Sequence, residues 1–111
     1  MFEHEKVDGM DVIRVTGSRM DASNSPDFLA KVDELVGTGV ANLAVDFTAV
    51  SFMDSSALGA TVSALKKVGS SGSLVLVGVS GLVEDLFKLT RMDKVFTIVP
   101  TLQAADLVKT A

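Results

Sequence analysis

A strand that leads directly into a polar turn and a helix lies near the middle of the chain. The strand is the apolar run from Asn42 to Phe47. After the turn, Leu58, Val62 and Leu65 recur at the spacing of one apolar helix stripe, which predicts a helix from about Ser56 to Val68. Alternating strands and helices build a largely parallel sheet, so this stretch favours an α/β fold.

The turn itself contains Asp54, Ser55 and Ser56. These residue types begin helices because their short side-chain oxygens accept the free N–H groups of the first turn. From residue chemistry alone, a helix cap is the favoured interpretation of all three. A short motif of this kind needs support from the surrounding sequence before it indicates a functional site.

That support comes from the run Ser51-Phe-Met-Asp-Ser-Ser-Ala-Leu-Gly59. It closely resembles the signature of the STAS domain, found in bacterial anti-sigma factor antagonists. In that family the serine directly after the aspartate is phosphorylated, which here is Ser55. The sequence departs from the pattern at Ala57, where the family usually has glycine. Only the resemblance selects Ser55 over Ser56, since both stand at the start of the helix.

The remaining elements follow from apolar periodicity and turn residues. Asp8-Gly9 joins two strands, Phe2 to Val7 and Met10 to Thr16, into a hairpin. The first helix is expected to begin with Ser25 as N-cap and Pro26 at its first position, and to end at Gly37. Its buried stripe is predicted to comprise Phe28, Leu29, Val32, Leu35 and Val36.

The second half of the chain continues the alternation. We expect a turn at Ser70-Ser-Gly72, a buried strand at 73–79 and a last strand at 95–99. A third helix is predicted to face inward through Leu82, Val83, Leu86 and Leu89, and a closing helix through Leu102, Ala105 and Val108. The predicted order is β-β-α-β-α-β-α-β-α, a mixed and mostly parallel sheet with packed helices, which is also the order of a STAS domain.

Composition limits the class of protein. A chain of 111 residues predicts one domain, residues 1–111. The net charge of −4 and the scattered lysines and arginines argue against nucleic-acid binding and a polybasic membrane anchor. No apolar run approaches the length of a membrane span, and the first residues do not form a signal peptide. The absence of cysteine fits a cytoplasmic location.

The residues required for catalysis are not evident. The single histidine, His4, lies in the first strand, and nothing marks it as the base that a serine nucleophile needs. We expect no metal or cofactor, because the carboxylates do not cluster at ligand spacing and the turn at Gly78 to Gly81 has too few glycines for a dinucleotide site. Glu84-Asp85 fits the first turn of a helix. Asp46 is left with two interpretations, a functional residue at a strand end or a loop hydrogen bond.

The resemblance implies a regulatory partner and indicates which residues of this chain bind it. Unphosphorylated protein would bind an anti-sigma factor, often a serine kinase with the histidine-kinase-like ATPase fold, and a serine phosphatase would restore that form after modification. The predicted surface contains Asp21, Asp54, Ser56, Ala57, Leu58 and Gly59. Asp21 is included because Gly17-x-x-x-Asp21 resembles the family's Gly-x-x-Asp loop with one residue more. Phe52 and Met53 could anchor the loop inward or offer apolar surface.

Two other functions are compatible with the motif. The domain could be a STAS subunit of a lipid ABC transport system, or a phospho-switch acting on a partner outside sigma regulation, such as a biofilm regulator. All three predict a binding protein and not an enzyme. The sequence leaves the oligomeric state and nucleotide binding open.

Overall fold

A five-stranded mixed sheet with four helices forms the fold, and the predicted order of these strands and helices is confirmed. The structure, a computed structural model, describes residues 1–69 and 72–107, with only the backbone of the last two. The strands are β1 (Phe2–Val7), β2 (Met10–Val15), β3 (Arg19–Met20), β4 (Asn42–Asp46), β5 (Phe52–Met53), β6 (Ser73–Val77) and β7 (Thr97–Val99). The helices are α1 (Ser25–Gly37), α2 (Ser55–Val68), α3 (Gly81–Leu89) and α4 (Leu102–Leu107), with a 3₁₀ turn at Met92–Lys94.

The main sheet has the strand order β1-β2-β4-β6-β7. Strands β1 and β2 form the predicted antiparallel hairpin, and β2, β4, β6 and β7 run parallel. The three crossovers all step in the same direction, so right-handed connections place α1, α2 and α3 on one face. Open α/β sheets bind ligands where the strand order reverses, and the described parallel strands contain no such reversal.

Two apolar clusters lie on opposite faces of this sheet. The larger cluster packs α1, α2 and α3 on the sheet and includes Ile13, Phe28, Val45 and Leu76. The smaller one lies beneath α4 and comprises Met10, Val12, Ala44, Val75, Val77 and Ala105. Because β4 and β6 contribute alternate residues to both clusters, their continuous apolar runs are explained by burial on both faces.

The beginning of α1 differs from the prediction. Asn24 is the N-cap residue and Ser25 is already helical. Ser25 Oγ donates to the carbonyl oxygen of Asp21 at 2.6 Å, so it holds the preceding loop instead of accepting the first N–H groups of the helix. The prediction of Ser25 as N-cap was therefore wrong by one residue.

The buried faces of α2 and α3 also differ from the predicted stripes. In α3, Leu82 and Leu89 are 68% and 83% exposed, whereas Val83 and Phe87 are buried. In α2 the most buried residues are small or compact: Ala57, Ala60, Thr61, Ala64 and Val68. The predicted leucine and valine stripe of α2 is only partly buried at the rim of the core.

Some predictions fall outside the described residues, namely Ser70 and Ser71 of the turn and Val108 of the closing helix. Among the helices that the structure describes, none combines the length and the apolar character needed to cross a bilayer.

Candidate functional site

Two short strands that the sequence did not predict organise the candidate site. Strands β3 and β5 pair in parallel as a separate two-stranded sheet, with Arg19 opposite Phe52 and Met20 opposite Met53. These strands follow β2 and β4, so they lie beyond the carboxyl edge of the main sheet. Their pairing holds the loop after β2 against the turn that begins α2.

Asp54 is the N-cap of α2, as predicted. Its Oδ1 accepts a hydrogen bond from the N–H of Ala57 at 2.9 Å. Its Oδ2 accepts a second bond from the N–H of Ala22 at 3.2 Å, in the loop after β3. The Asp54 N–H donates to the carbonyl of Met20 at 3.3 Å. One residue therefore starts the helix and fixes a distant loop beside it.

Ser55 and Ser56 occupy the first two positions of α2, and both are exposed. Within the described part of the chain, neither hydroxyl takes part in a side-chain hydrogen bond. The N–H groups of a first helical turn point outward and favour an anion. Both hydroxyls are therefore accessible, and exposure does not distinguish one from the other.

The other predicted surface residues of α2 face different ways. Gly59 is exposed and Leu58 is half-buried against the core. Ala57 is fully buried. Its methyl group lies in the core, and its N–H is used by the cap. Ala57 therefore supports the turn from inside, and its side chain does not belong to the predicted contact surface.

Asp21 lies in the loop that Asp54 holds, close to the α2 turn as predicted. Its Oδ1 accepts hydrogen bonds from Ser23 Oγ at 2.5 Å and from the Ser23 N–H at 3.0 Å. These bonds, foremost that of the hydroxyl, lower the pKa of the Asp21 carboxyl below its ordinary value of 3.8, and the nearby Arg19 guanidinium adds to the effect. Asp21 is thus an ionised residue in a preformed loop.

The two apolar residues that precede Asp54 differ in burial. Met53 is buried and anchors the turn, whereas Phe52 is 36% exposed. The Arg19 guanidinium lies over the Phe52 ring, with its central carbon 4.2 Å from the ring centroid. Sequence reasoning missed Arg19, because a two-residue strand carries too little pattern to reveal its pairing partner.

Asp46 makes hydrogen bonds within the loop after β4, which is one of the two interpretations that the sequence left open. It is buried at the end of β4, and its Oδ1 accepts from the Thr48 N–H at 2.9 Å and from Thr48 Oγ1 at 2.5 Å. Arg14 Nε lies 3.5 Å from Oδ2 of the same carboxylate. Asp46 thereby orders the chain that leads from the main sheet to β5.

The other polar groups that the sequence singled out form pairs of their own. His4 Nε2 is 2.7 Å from Oδ1 of the buried Asp11, beside an open cavity of about 410 Å³ at the amino edge of the parallel strands. Glu84 pairs with Lys88 at 3.8 Å along α3. In residues 1–69 and 72–105, no group of three or more histidine and acidic side chains is placed to hold a metal ion.

Comparison with known proteins identifies the family. The sequence-family model of the STAS domain matches residues 1–105 of this chain. A Thermotoga maritima protein assigned as an anti-sigma factor antagonist is 29% identical, with 94% of this chain and 90% of that chain covered and a TM-score of 0.82. An anti-sigma factor antagonist of Mycobacterium paratuberculosis is 25% identical, with 98% and 92% covered and a TM-score of 0.89. The phosphorylated form of the Bacillus cell fate determinant SpoIIAA shares the fold at 23% identity, with 98% and 100% covered and a TM-score of 0.74.

Proposed function

Because this chain belongs to the STAS domain family, we propose that it is an anti-sigma factor antagonist whose binding is switched by phosphorylation of Ser55. The whole of residues 1–111 acts as one such domain, in the cytoplasm. It is the binding partner and substrate of other proteins and performs no catalysis itself.

The observation that carries this proposal is the state of the Ser55 hydroxyl. It is exposed at the first position of α2, on a turn whose aspartate is already occupied by two backbone N–H groups. A kinase therefore has access to the hydroxyl, and both oxygens of Asp54 hold the turn that presents it. The resemblance of residues 51–59 to the STAS signature selects Ser55 over Ser56.

A phosphate at this position acts on binding rather than on folding. It adds nearly two negative charges, and the start of a helix favours an anion by about 0.3–1 kcal/mol. Burying an unpaired charge in a protein interface costs on the order of 2–5 kcal/mol. Since 1.4 kcal/mol corresponds to a factor of ten, phosphorylation weakens binding by roughly 30-fold to several thousand-fold.

The partner expected for the unphosphorylated form is an anti-sigma factor that is also a serine kinase of the histidine-kinase-like ATPase fold. Its release of a sigma factor is the output, and a serine phosphatase resets the switch. The proposed contact surface is formed by Asp21, Asp54, Ser56, Leu58 and Gly59 around Ser55. Support for this surface comes from the way that Asp54 and the β3–β5 pair hold the two loops together.

A pull-down from a lysate of the native host tests the proposal. Wild-type, Ser55→Ala and Ser55→Glu baits are compared, and retained proteins are identified by mass spectrometry. Wild type and Ser55→Ala are expected to retain an ATPase-fold anti-sigma regulator that Ser55→Glu loses. Gln103→Glu is the matched control, since it adds one negative charge at an exposed position of α4, on the opposite face of the sheet.

The other outcomes distinguish the alternatives. Retention of a lipid transporter's permease or ATPase by every bait would assign the domain to a transport system and leave Ser55 without a switching role. A partner outside sigma regulation that only Ser55→Glu loses would keep the switch and change its target.

A further inference from the structure

We propose that Arg19 and Phe52 together form the anchor of the partner surface beside Ser55, and that they bind a carboxylate and an adjoining apolar side chain of the protein partner. This inference rests on the proposed function, because it concerns the same binding surface. It adds two residues that the sequence motif does not include and gives the chemistry that the partner must present.

The two-stranded sheet has one face turned to the core and one to solvent. Met20 and Met53, which are opposite each other in the register, are buried. Arg19 and Phe52, also opposite each other, lie on the outer face, where the Arg19 side chain is 61% exposed and Phe52 is 36% exposed. An exposed arginine stacked on an exposed aromatic ring is thus held directly beside the Ser55 turn.

This pair is ordered before any partner arrives. The guanidinium lies 4.2 Å from the Phe52 ring centroid, and Arg19 Nε lies 3.6 Å from Oδ2 of Asp21. A side chain already held in one arrangement loses less conformational entropy on binding. Arginine and large aromatic residues are also enriched among those that carry most of the binding energy in protein interfaces.

The charge of the pair determines what it binds. The contact of Arg19 with Asp21 runs through Nε, and among the described residues no other acid pairs with the guanidinium, whose two terminal nitrogens stand at its far end. These nitrogens form the fork that recognises a carboxylate through two parallel hydrogen bonds. The exposed part of Phe52 provides apolar surface next to that carboxylate, so the complementary partner group is an acid flanked by an apolar residue.

The same arginine connects the anchor to the switch. Phe52 and Ser55 are three residues apart in the chain, so they are separated by at most about 10 Å. The Debye length is about 8 Å at physiological ionic strength, close to this separation, so a charge on Ser55 is only partly screened from a charge over the Phe52 ring. A phosphate on Ser55 therefore attracts the Arg19 guanidinium and competes with the partner's carboxylate for it.

Binding titrations test the anchor. The probe is the purified protein that the wild-type bait retains and the Ser55→Glu bait loses. Arg19→Ala and Phe52→Ala are each expected to weaken its binding at least about tenfold, and Arg19→Lys to weaken it less. Lys66→Ala, at the far end of α2, and Val95→Ala, at the amino edge of the sheet, remove an exposed cation and an exposed apolar group as controls. Both controls are expected to bind like wild type. The midpoint temperature of thermal unfolding is expected to stay within about 4 °C of the wild-type value in all variants.

Two further measurements separate direct contact from an indirect effect. A photoreactive phenylalanine analogue in place of Phe52 is expected to cross-link to the probe, whereas the same analogue in place of Val95 is not. In Arg19→Ala, the additional loss caused by Ser55→Glu is expected to be smaller than in wild type, because the competition for the guanidinium is removed.

The outcomes distinguish this inference from the function on which it rests. If the probe distinguishes Ser55→Glu from wild type but binds Arg19→Ala and Phe52→Ala within about twofold of wild type, the anchor is overturned and the switch stands. If no protein distinguishes wild type from Ser55→Glu, the proposed function fails and the anchor fails with it.

Discussion

Asp54 accepts a hydrogen bond from the backbone N–H of Ala22 at 3.2 Å, across 32 residues of sequence. The other oxygen of the same carboxylate caps α2 at the N–H of Ala57. The aspartate of the signature thus connects the loop that contains Asp21 with the turn that contains Ser55. Its place in the motif is explained by this double role, which requires two acceptor oxygens on a short side chain.

Asp54→Ala is expected to destabilise the fold by about 1–3.5 kcal/mol, since loss of an N-cap costs about 0.5–2 kcal/mol and loss of the exposed bond to Ala22 adds about 0.5–1.5 kcal/mol. Urea unfolding measures the change. Asp54→Asn keeps one acceptor oxygen, so a smaller loss is expected. Amide hydrogen exchange at Ala22 and Ala57 should quicken in Asp54→Ala, and unchanged exchange at Ala22 would contradict the link between the two loops.

Ser23→Ala is expected to raise the pKa of the Asp21 carboxyl toward its ordinary value of 3.8, because the Ser23 hydroxyl is the main cause of its lowering. A carboxyl whose pKa is lower in the folded state contributes stability above its unfolded pKa, and this stability is lost as the pH falls through the folded pKa. Carboxyl ¹³C NMR titration measures the shift. Ser56→Ala serves as the control, and an identical Asp21 titration in Ser23→Ala and wild type would disprove the assignment.

The sequence determined much of the fold because its strands and turns carry clear local patterns. The hairpin at Asp8-Gly9 and the buried strand β6 follow from turn chemistry and apolar runs, although β6 ends at Val77 and not at the predicted residue 79. The pairing of β3 with β5 has no such pattern, because each strand has only two residues and the contact is non-local. The Ser55 turn was recognisable from the motif, whereas Arg19 becomes part of the site only through this pairing.

The prediction of which face of α3 is buried was wrong in part, for a related reason. The prediction placed Leu82, Val83, Leu86 and Leu89 inward. Val83 is buried and Leu86 is half-buried, but Leu82 and Leu89 are exposed, and tertiary packing buries Phe87 one helical turn after Val83. Phe87 packs edge-on against Phe96, with ring centroids 5.7 Å apart. An aromatic partner contributed by a distant segment decides which face is buried, and periodicity within one helix does not contain that information.

Substitutions in α3 test this orientation. Phe87→Ala is expected to destabilise the protein by about 3–5 kcal/mol, because it removes a fully buried ring. Leu89→Ser is expected to change the free energy of unfolding by less than about 0.5 kcal/mol, since Leu89 is 83% exposed. Urea denaturation of both variants provides the comparison, and a large loss for Leu89→Ser with a small one for Phe87→Ala would restore the predicted orientation.

Two glycines near the site are expected to respond in opposite directions to the same change. Gly78 has a φ of +73° and a Cβ there would collide with Thr48 Oγ1, so Gly78→Ala should destabilise the fold by about 1–3 kcal/mol. Gly59 lies inside α2 with open space at its Cβ position, so Gly59→Ala should stabilise by about 0.5–1 kcal/mol. Unfolding in urea measures both. Since Gly59 also belongs to the proposed contact surface, Gly59→Ala should weaken partner binding while it stabilises the fold, and unchanged binding would remove Gly59 from that surface.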